Sequence, residues 1–283
     1  MRFPGATEDC WLDGRRVVVG QAQLSMGDPA FQAGLGLFET LALVDGLVLD
    51  LDLHLDRMHD GAERLRIALP PREALRAIVL EAGSDGAPPC GWLKVIVTAS
   101  GRTLAVRGVL DPGEVGRPAS AILLPWRRNP EDPLAGLKTL NYAANLVGLE
   151  WARARGADEG LWLNTRGLLA EGCTSNLFVV RGGRLFTPAV REGILPGVVR
   201  ALTISAARRL GLAVHEGRLR LTRLKRAQEA FLTSSLRGVR PLVSLESRPV
   251  GCGEPGRVTT AIAAEVARAR LAGGLAPDPT PKA

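Results

Sequence analysis

Lysine is a rare residue in this chain, although basic side chains are common. Of the 36 basic residues, only Lys94, Lys138, Lys225 and Lys282 are lysines. Lys138 stands in "LKTLNY", between two leucines and directly before a helical pattern. Most lysines in such places extend the ammonium group into water, but a desolvated amine can instead attack a carbonyl group and form a Schiff base. Position alone leaves both interpretations open.

Two features downstream of Lys138 favour the nucleophilic interpretation. Glu171 follows an apolar pair at the end of a predicted strand, and Pro196-Gly197 in "LPGVVR" begins a predicted helix. A carboxylate in such a place usually lies on the surface, but pyridoxal phosphate needs one beside its pyridine nitrogen. The N–H groups of Val198 and Val199 at a helix start suit a phosphate group. Together the three features predict a pyridoxal phosphate site.

The order and spacing of several motifs resemble those of one enzyme family. The motifs are "DPAFQAGLGLFET", "HLDRM", "LKTLNY", "GADEGLWLNTRGLLAEGCTSNLFVV", "LFTP", "GILPGVVR" and "FLTSSL". From about Asp28 to Leu242 the chain resembles the fold-type IV pyridoxal-phosphate enzymes, the class IV aminotransferase superfamily. That group includes branched-chain aminotransferases, D-amino-acid aminotransferases and aminodeoxychorismate lyases. The resemblance therefore implies an enzyme that depends on this cofactor.

The resemblance implies a role for each residue that matches a family motif. The implied cofactor-binding residues are Arg57, Lys138, Tyr142, Glu171, Asn176, Gly197, Val198, Val199, Ser234 and Ser235. Lys138 corresponds to the catalytic Schiff-base lysine, Glu171 to the carboxylate at the pyridine nitrogen, and Arg57 to an arginine that binds the phosphate. Tyr142 corresponds to a tyrosine near the phenolic oxygen of the cofactor, and Asn176 to an asparagine below its ring.

Three stretches resemble the lyases more than the aminotransferases: "GLGLFETLALVDG", "WRRNPEDPLAGLKTLN" and "GWLKVIVTASGRT". In the third, Lys94 and Arg102 correspond to residues that would meet the two carboxylates of the substrate. Leu236 is the third implied substrate-binding residue. The favoured activity is that of a 4-amino-4-deoxychorismate lyase, which releases pyruvate and leaves 4-aminobenzoate. A surface role for Lys94 on an edge strand, and for Arg102 in a loop, stays open.

An aminotransferase is the main alternative. The Arg-x-His pair that binds carboxylates in typical D-amino-acid aminotransferases is missing from "SGRTLAV", and the double-glycine spacing typical of branched-chain enzymes is missing around the lysine. Aminotransferases for D-amino acids, branched-chain amino acids or (R)-amines still remain alternatives, because some of them vary at these places. A non-catalytic homologue that binds pyridoxal phosphate is a further hypothesis, and the intact set of Lys138, Glu171 and Arg57 argues against it.

Composition excludes several other classes of protein. The net charge of +7 comes from arginines scattered among acidic residues, without the interleaved aromatic residues that stack on bases, so no nucleic-acid partner is expected. The four cysteines include no CxxC pair, and no metal site or disulfide scaffold is predicted. The stretch "MRFPGATEDC" has no apolar run of signal-peptide length, and no segment approaches the length of a membrane span, so neither is expected. We expect a cytoplasmic protein with a small amino substrate. By family resemblance we expect a homodimer. The histidines His54, His59 and His215 are not expected to be catalytic.

The strands and helices predicted around these residues indicate a mixed α/β fold, in which they do not alternate in a regular βαβ order. The resemblance implies two domains, a smaller N-terminal α/β domain over 1–120 and a larger pseudo-barrel domain over 121–283 that carries the Schiff-base lysine. The chain can cross between them in "VRGVLDPGEVGRPAS" or in "WRRNPEDPLAGL". Asp45-Gly46 predicts a hairpin, and a helix is predicted from about Asn141 to Arg155. The tail "APDPTPKA" is expected to be disordered.

Overall fold

The computed structural model describes residues 6–84 and 86–273, and the tail "APDPTPKA" lies outside them. The chain forms two compact units. Unit one comprises the chain up to Pro112 together with Leu137–Tyr142, and unit two comprises Gly113–Gly136 and the chain from Ala143 onward. The chain leaves unit one inside the first predicted crossing stretch and returns to it at the end of the second.

This division differs from the expected one in two respects. The first boundary lies after Pro112 rather than after residue 120, and the segment with Lys138 groups with unit one rather than with the second domain. The physical reason is backbone pairing between that segment and a strand of unit one, which is described with the site below.

Unit one is built on a six-stranded antiparallel sheet. Its strands are β1 (Ala6–Leu12), β2 (Arg15–Val18), β3 (Gly36–Val44), β4 (Leu47–Val48), β5 (Cys90–Thr98) and β6 (Thr103–Val109). They lie in the order β2-β1-β6-β5-β3-β4. The central strands β3 and β5 are paired over their whole length, from Gly36 opposite Thr98 to Val44 opposite Cys90.

One face of this sheet forms the core of unit one. Its helices are α1 (Pro29–Ala33), α2 (Leu51–Leu65) and α3 (Arg72–Ser84). Leu37, Leu41 and Leu43 of β3 pack in one apolar cluster with buried residues of α2 and α3. Because successive side chains of a strand point to opposite faces, Phe38 and Thr40 project from the face away from these helices.

The predicted hairpin at Asp45-Gly46 is confirmed. It joins β3 to β4, and its two turn residues have φ angles of 47° and 79°. A turn with two positive φ angles matches the right-handed twist of the flanking strands. Glycine takes this conformation without the steric cost that other residues meet, and aspartate is one of the few that tolerate it.

Unit two is built on a ten-stranded sheet. Its strands are β7 (Ala119–Arg128), β8 (Glu159–Asn164), β9 (Leu168–Gly172), β10 (Asn176–Arg181), β11 (Arg184–Pro188), β12 (Ala213–Gly217), β13 (Leu219–Arg220), β14 (Glu229–Ser234), β15 (Gly238–Leu245) and β16 (Arg248–Pro249). The order is β12-β11-β10-β14-β15-β7-β8-β9-β13, and β16 pairs with β15. β9 lies near β10 and β11 although it is far from them in this order. The sheet therefore curls toward a barrel, as the resemblance implied.

The α-helices in the described part of unit two are α4 (Ala143–Arg153), α5 (Val198–Arg209), α6 (Leu221–Lys225) and α7 (Arg257–Leu271). The helix predicted from Asn141 to Arg155 is α4. Helices α5 and α7 share a core with the sheet, in which the rings of Phe178 and Phe231 are stacked with centroids 4.9 Å apart. The predicted mixed α/β fold is confirmed. Within the described residues, no helix is long and apolar enough to span a membrane.

Candidate active site

Lys138 lies on a short extended segment at the edge of β3. The N–H of Phe38 donates to the carbonyl oxygen of Lys138 (2.9 Å), and the N–H of Leu140 donates to the carbonyl oxygen of Gly36 (3.0 Å). Gly36 permits this approach, because an added Cβ would lie 2.7 Å from the Leu140 side chain. The segment thus extends the sheet of unit one, and this pairing explains why it groups with that unit.

The side chains of Lys138 and Lys94 meet at one aromatic ring. The centroid of the Phe38 ring is 4.3 Å from the Nζ of Lys138 and 4.2 Å from the Nζ of Lys94, distances at which the ring face attracts a cation. Tyr142, the only tyrosine of the chain, contacts Phe38 edge-on with centroids 5.1 Å apart. The sheet face away from α2 and α3 therefore carries two amines and a phenol.

The two predicted substrate cations, Lys94 and Arg102, have different surroundings. Burial lowers the pKa of Lys94 to about 8, so its charged and neutral forms are both populated near that pH. The Nε of Arg102 lies 2.6 Å from Oδ2 of Asp13, and 41% of the Arg102 side chain is exposed. Lys94 thus belongs to the group around Lys138, whereas Arg102 belongs to an exposed ion pair.

Arg57 belongs to a buried cluster on the helix-covered side of the same sheet. Its Nε donates to Oε1 of Glu39 (2.8 Å), and its Nη2 donates to Oε2 of Glu39 (2.6 Å). The Nδ1 of His54, one turn earlier on α2, lies 2.6 Å from the same Oε2. Glu39 on β3 and His54 are both almost completely buried. The predicted phosphate-binding arginine is therefore held by a carboxylate that has a second partner.

The pKa shifts of the cluster define its charges. Burial alone would raise the pKa of Glu39, but Arg57 and His54 outweigh burial and hold the pKa well below its usual range. Burial lowers the pKa of His54, and the nearby Glu39 offsets this only in part. Glu39 is thus an anion and His54 a neutral imidazole, which donates through Nδ1–H to the carboxylate.

Glu171 of unit two is held by three donors. Its Oε2 accepts from the Nδ2 of Asn176 (3.2 Å) and from the N–H of Leu195 (2.9 Å). Its Oε1 accepts from the Nη1 of Arg128. Arg128 also donates to Asn145 and lies over the Trp162 ring, 5.0 Å from its centroid. These contacts fix the orientation of a buried carboxylate at the end of β9.

The start of α5 lies next to Asn176. Its first residues are Val198 and Val199, which are both buried. Its N-cap residue is Gly197, which has no side chain that could accept from the first N–H groups of the helix. A Cβ at Gly197 would lie 2.0 Å from Oδ1 of Asn176, so only glycine fits this approach. The N–H groups at such a helix start attract anions.

The turn between β14 and β15 carries the remaining predicted residues, Ser234, Ser235 and Leu236, which are all half-buried. The Oγ of Ser234 accepts from the N–H of Arg237 (3.3 Å), and the carbonyl oxygen of Ser235 accepts from Arg270 (2.9 Å). Both contacts hold the backbone of the turn at the end of β14.

Comparison with known proteins identifies the family. The family model described as amino-transferase class IV matches residues 36–245. The chain belongs to the class IV aminotransferase family. This membership confirms the predicted superfamily and fold class. It also establishes an enzyme dependent on pyridoxal phosphate, the cofactor of the family.

Relatives within the family include both aminotransferases and a lyase. The chain is 30% identical over 268 residues to a putative branched-chain-amino-acid aminotransferase of Methanocaldococcus jannaschii, covering 88% of this chain and 92% of the relative. It is 29% identical over 282 residues to an aminodeoxychorismate lyase of Bacillus subtilis, covering 89% and 91%. Its fold matches a branched-chain aminotransferase from Thermoproteus uzoniensis, solved with norvaline, with a TM-score of 0.86 at 26% identity over 95% and 96% of the chains.

The donor set of unit two fits the family cofactor. Glu171 presents an oriented carboxylate, which can accept a hydrogen bond from a protonated pyridine nitrogen. The start of α5 offers backbone N–H groups for a phosphate, and Gly197 lets the backbone approach Asn176. In unit one, the Nζ of Lys138 lies 5.3 Å from the centroid of the Tyr142 ring.

Sequence reasoning missed three residues around these groups: Glu39, Arg128 and Glu159. Glu39 interrupts the apolar row of β3, which was a usable signal. Arg128 stands in "WRRNPEDPLAGLKTLN", which was singled out as a stretch that resembles the lyases and as a possible crossing between domains, without a role for this arginine. Glu159 is fully buried and accepts from Cys173 N–H (3.0 Å), the Thr174 hydroxyl (2.8 Å) and the Ser175 hydroxyl (2.9 Å), and so holds the turn between β9 and β10. Burial raises the pKa of Glu159, and the hydroxyl and backbone donors oppose this.

Proposed function

We propose that the protein is a 4-amino-4-deoxychorismate lyase, which eliminates pyruvate and yields 4-aminobenzoate. The observation that carries the proposal is the position of Lys94 on the same ring as Lys138. The half-buried ammonium group of Lys94 would attract a carboxylate of a dianionic substrate strongly, because water is partly excluded around it.

The proposed roles of the cofactor-binding residues are those that the family resemblance implies. Lys138 would hold the cofactor covalently, and Glu171, oriented by Asn176, would accept from its pyridine nitrogen. Tyr142 would lie near its phenolic oxygen. Arg57 would bind the phosphate, as would the start of α5, with Gly197, Val198 and Val199, and the two serines Ser234 and Ser235. When bound, pyridoxal phosphate supplies an electron sink for charge that develops at the carbon bearing the amine.

The residues of the chain then move the protons. With the cofactor bound, the Nζ of Lys138 would serve as the base that takes the proton from the amine-bearing carbon of the substrate. Lys94 binds a substrate carboxylate through its ammonium group. Arg102 and Leu236 complete the proposed substrate contacts, and the ion pair of Arg102 with Asp13 must open for Arg102 to take part.

A branched-chain aminotransferase is the second candidate. The names of several relatives favour it, and so does the pairing of Arg102 with Asp13, which gives the expected second cation another partner. In this alternative Lys138 serves the same proton transfers, and Lys94 binds the single carboxylate of an amino acid or keto acid.

We also propose that the protein acts as a homodimer. Six large apolar side chains between β2 and β3 are exposed: Val18, Val19, Leu24, Met26, Phe31 and Leu35. Such a concentration of exposed apolar side chains is typical of an interaction surface. Light scattering on the purified protein tests this, with Phe31→Asp expected to shift the mass toward that of the monomer.

A direct assay separates the two activities. Pyruvate release from aminodeoxychorismate is measured beside amino-group transfer from a panel of D- and L-amino acids. The proposal expects pyruvate release to dominate and to fall in Lys94→Met, while Lys225→Met, which replaces an exposed lysine, matches the wild type. Efficient transfer from branched-chain amino acids without pyruvate release would establish the second candidate instead.

A further inference from the structure

Glu39 is a buried charge in an otherwise apolar row of side chains. Its neighbours on the same face of β3, Leu37, Leu41 and Leu43, belong to the core of unit one, and only 2% of Glu39 is exposed. A buried ion pair is often no more stabilising than apolar side chains of similar size. Stability of the fold therefore gives little reason for a carboxylate here, and its bonding partners indicate another role.

The contact between Glu39 and Arg57 consists of two hydrogen bonds, which together fix the plane of the guanidinium group. Nε and Nη2 of the planar guanidinium donate to the two different oxygens of Glu39. This bidentate geometry sets the orientation of the whole guanidinium group. The Nη1 end is then directed away from the carboxylate, because it lies on the other edge of the guanidinium.

His54 fixes the carboxylate in turn. His54 and Arg57 are three residues apart on α2 and so lie on the same side of the helix. The Nδ1–H of the neutral imidazole donates to Oε2 of Glu39. A neutral donor holds Glu39 without adding a second positive charge, so the carboxylate remains matched to the single charge of Arg57.

We propose that Glu39 is a positioning residue, which holds the guanidinium of Arg57 in the orientation that binds the phosphate of the cofactor, with His54 holding Glu39. This inference rests on the proposed phosphate-binding role of Arg57. It assigns a purpose to the acidic residue of "GLFET" and to a histidine that was not expected to serve the active site.

The test compares two ligands that differ only in the phosphate. Apoenzyme is titrated with pyridoxal phosphate and with pyridoxal, and the absorbance of the Schiff base reports the dissociation constant. Glu39→Gln should raise the constant for pyridoxal phosphate about tenfold, the effect of weakening one charge-assisted hydrogen bond, and leave that for pyridoxal unchanged. Arg57→Ala should show a larger loss with the same selectivity. The double variant should match Arg57→Ala, because the two residues act as one unit.

A matched control is Glu81→Gln, which alters a different carboxylate of unit one that accepts from the Trp11 indole (3.2 Å). This variant should bind both ligands like the wild type. If Glu39→Gln weakens both ligands equally, leaves both unchanged, or adds fully to Arg57→Ala, the positioning role is wrong.

Two further outcomes are distinguishable. If Arg57→Ala alone does not selectively weaken the binding of pyridoxal phosphate, Arg57 does not bind the phosphate. The positioning role of Glu39 is then wrong as well. If Glu39→Gln does not fold, Glu39→Asp keeps the charge but withdraws it by one methylene. It should then show the same selective loss, and wild-type affinity for pyridoxal phosphate would overturn the inference.

Discussion

Two arginine–carboxylate pairs, one in each unit, join a buried carboxylate to a half-buried arginine, yet different roles are proposed for them. In unit one, Glu39 is almost wholly buried while Arg57 is 12% exposed in its side chain. In unit two, Glu171 has two further donors, Asn176 and Leu195, besides Arg128. The proposed working group is the arginine in the first pair and the carboxylate in the second.

This difference indicates that the hydrogen-bond partners of a charged group determine which role the group can take. In the first pair the carboxylate oxygens are occupied by Arg57 and His54, so Glu39 can only support. In the second pair Arg128 divides its donors between Glu171 and Asn145, and so fixes the carboxylate by one of its two oxygens.

The largest effect is expected at Lys138, the proposed Schiff-base lysine. Lys138→Ala should reduce turnover at least ~10³-fold, because it removes both the nucleophile and the proton carrier. Steady-state turnover and the absorbance of the bound cofactor measure the two losses. Near-normal turnover in this variant would refute the proposed function as a whole.

The working carboxylate should come next. Glu171→Gln is expected to reduce turnover roughly 10²-fold, because an amide cannot hold the pyridine nitrogen protonated and so weakens the electron sink. The affinity for pyridoxal phosphate should change far less, since the phosphate contacts remain. Turnover close to that of the wild type at saturating cofactor would remove Glu171 from its proposed role.

The working arginine should affect binding rather than turnover. Arg57→Ala is expected to raise the dissociation constant of pyridoxal phosphate about ten- to a hundredfold, the loss of a charge-assisted hydrogen bond. Turnover at saturating cofactor should change little. Equilibrium titration of the apoenzyme and steady-state kinetics separate the two quantities, and a turnover defect without a binding defect would contradict the assignment.

The supporting arginine should have a smaller effect than the carboxylate it holds. Arg128→Met is expected to reduce turnover roughly tenfold, because Glu171 keeps its donors from Asn176 and Leu195 but loses a charged one. The control is Arg127→Met, whose side chain donates to backbone carbonyl groups nearby and which should behave like the wild type. A loss as large as that of Glu171→Gln would mean that Arg128 is itself a working residue.

The supporting members are also what the sequence failed to reveal. Lys138 and Glu171 could be predicted because a rare residue type and a strand-end carboxylate stand in local motifs. Glu39 interrupts an apolar row, but the sequence does not show which residue Glu39 or Arg128 bonds, since the partners lie on another element, α2 for Glu39 and β9 for Arg128. The sequence likewise does not show that the extended segment of Lys138 groups with unit one, because the backbone pairing of this segment with Gly36 and Phe38 joins residues that are far apart in the chain.

Lys94 differs from Glu39, because burial shifts its pKa toward neutral pH. The pKa of Glu39 is held low by Arg57 and His54, whereas burial lowers the pKa of Lys94 to about 8. Between about pH 8 and its ordinary pKa, the unfolded chain still binds a proton that the folded chain has released. The free energy of unfolding therefore gains a contribution from Lys94 as the pH rises through this window.

Lys94→Met should remove that contribution. The quantity to compare is the free energy of unfolding of the variant minus that of the wild type. This difference is expected to be larger at pH 7, where the folded wild type carries a half-buried ammonium group, than at pH 9.5, where that group is largely neutral. Urea unfolding of both proteins at the two pH values gives the difference. Lys225→Met should show the same difference from the wild type at both. If the difference for Lys94→Met does not change with pH, or changes in the opposite direction, burial does not set the charge of Lys94, and its proposed place beside Lys138 loses its electrostatic basis.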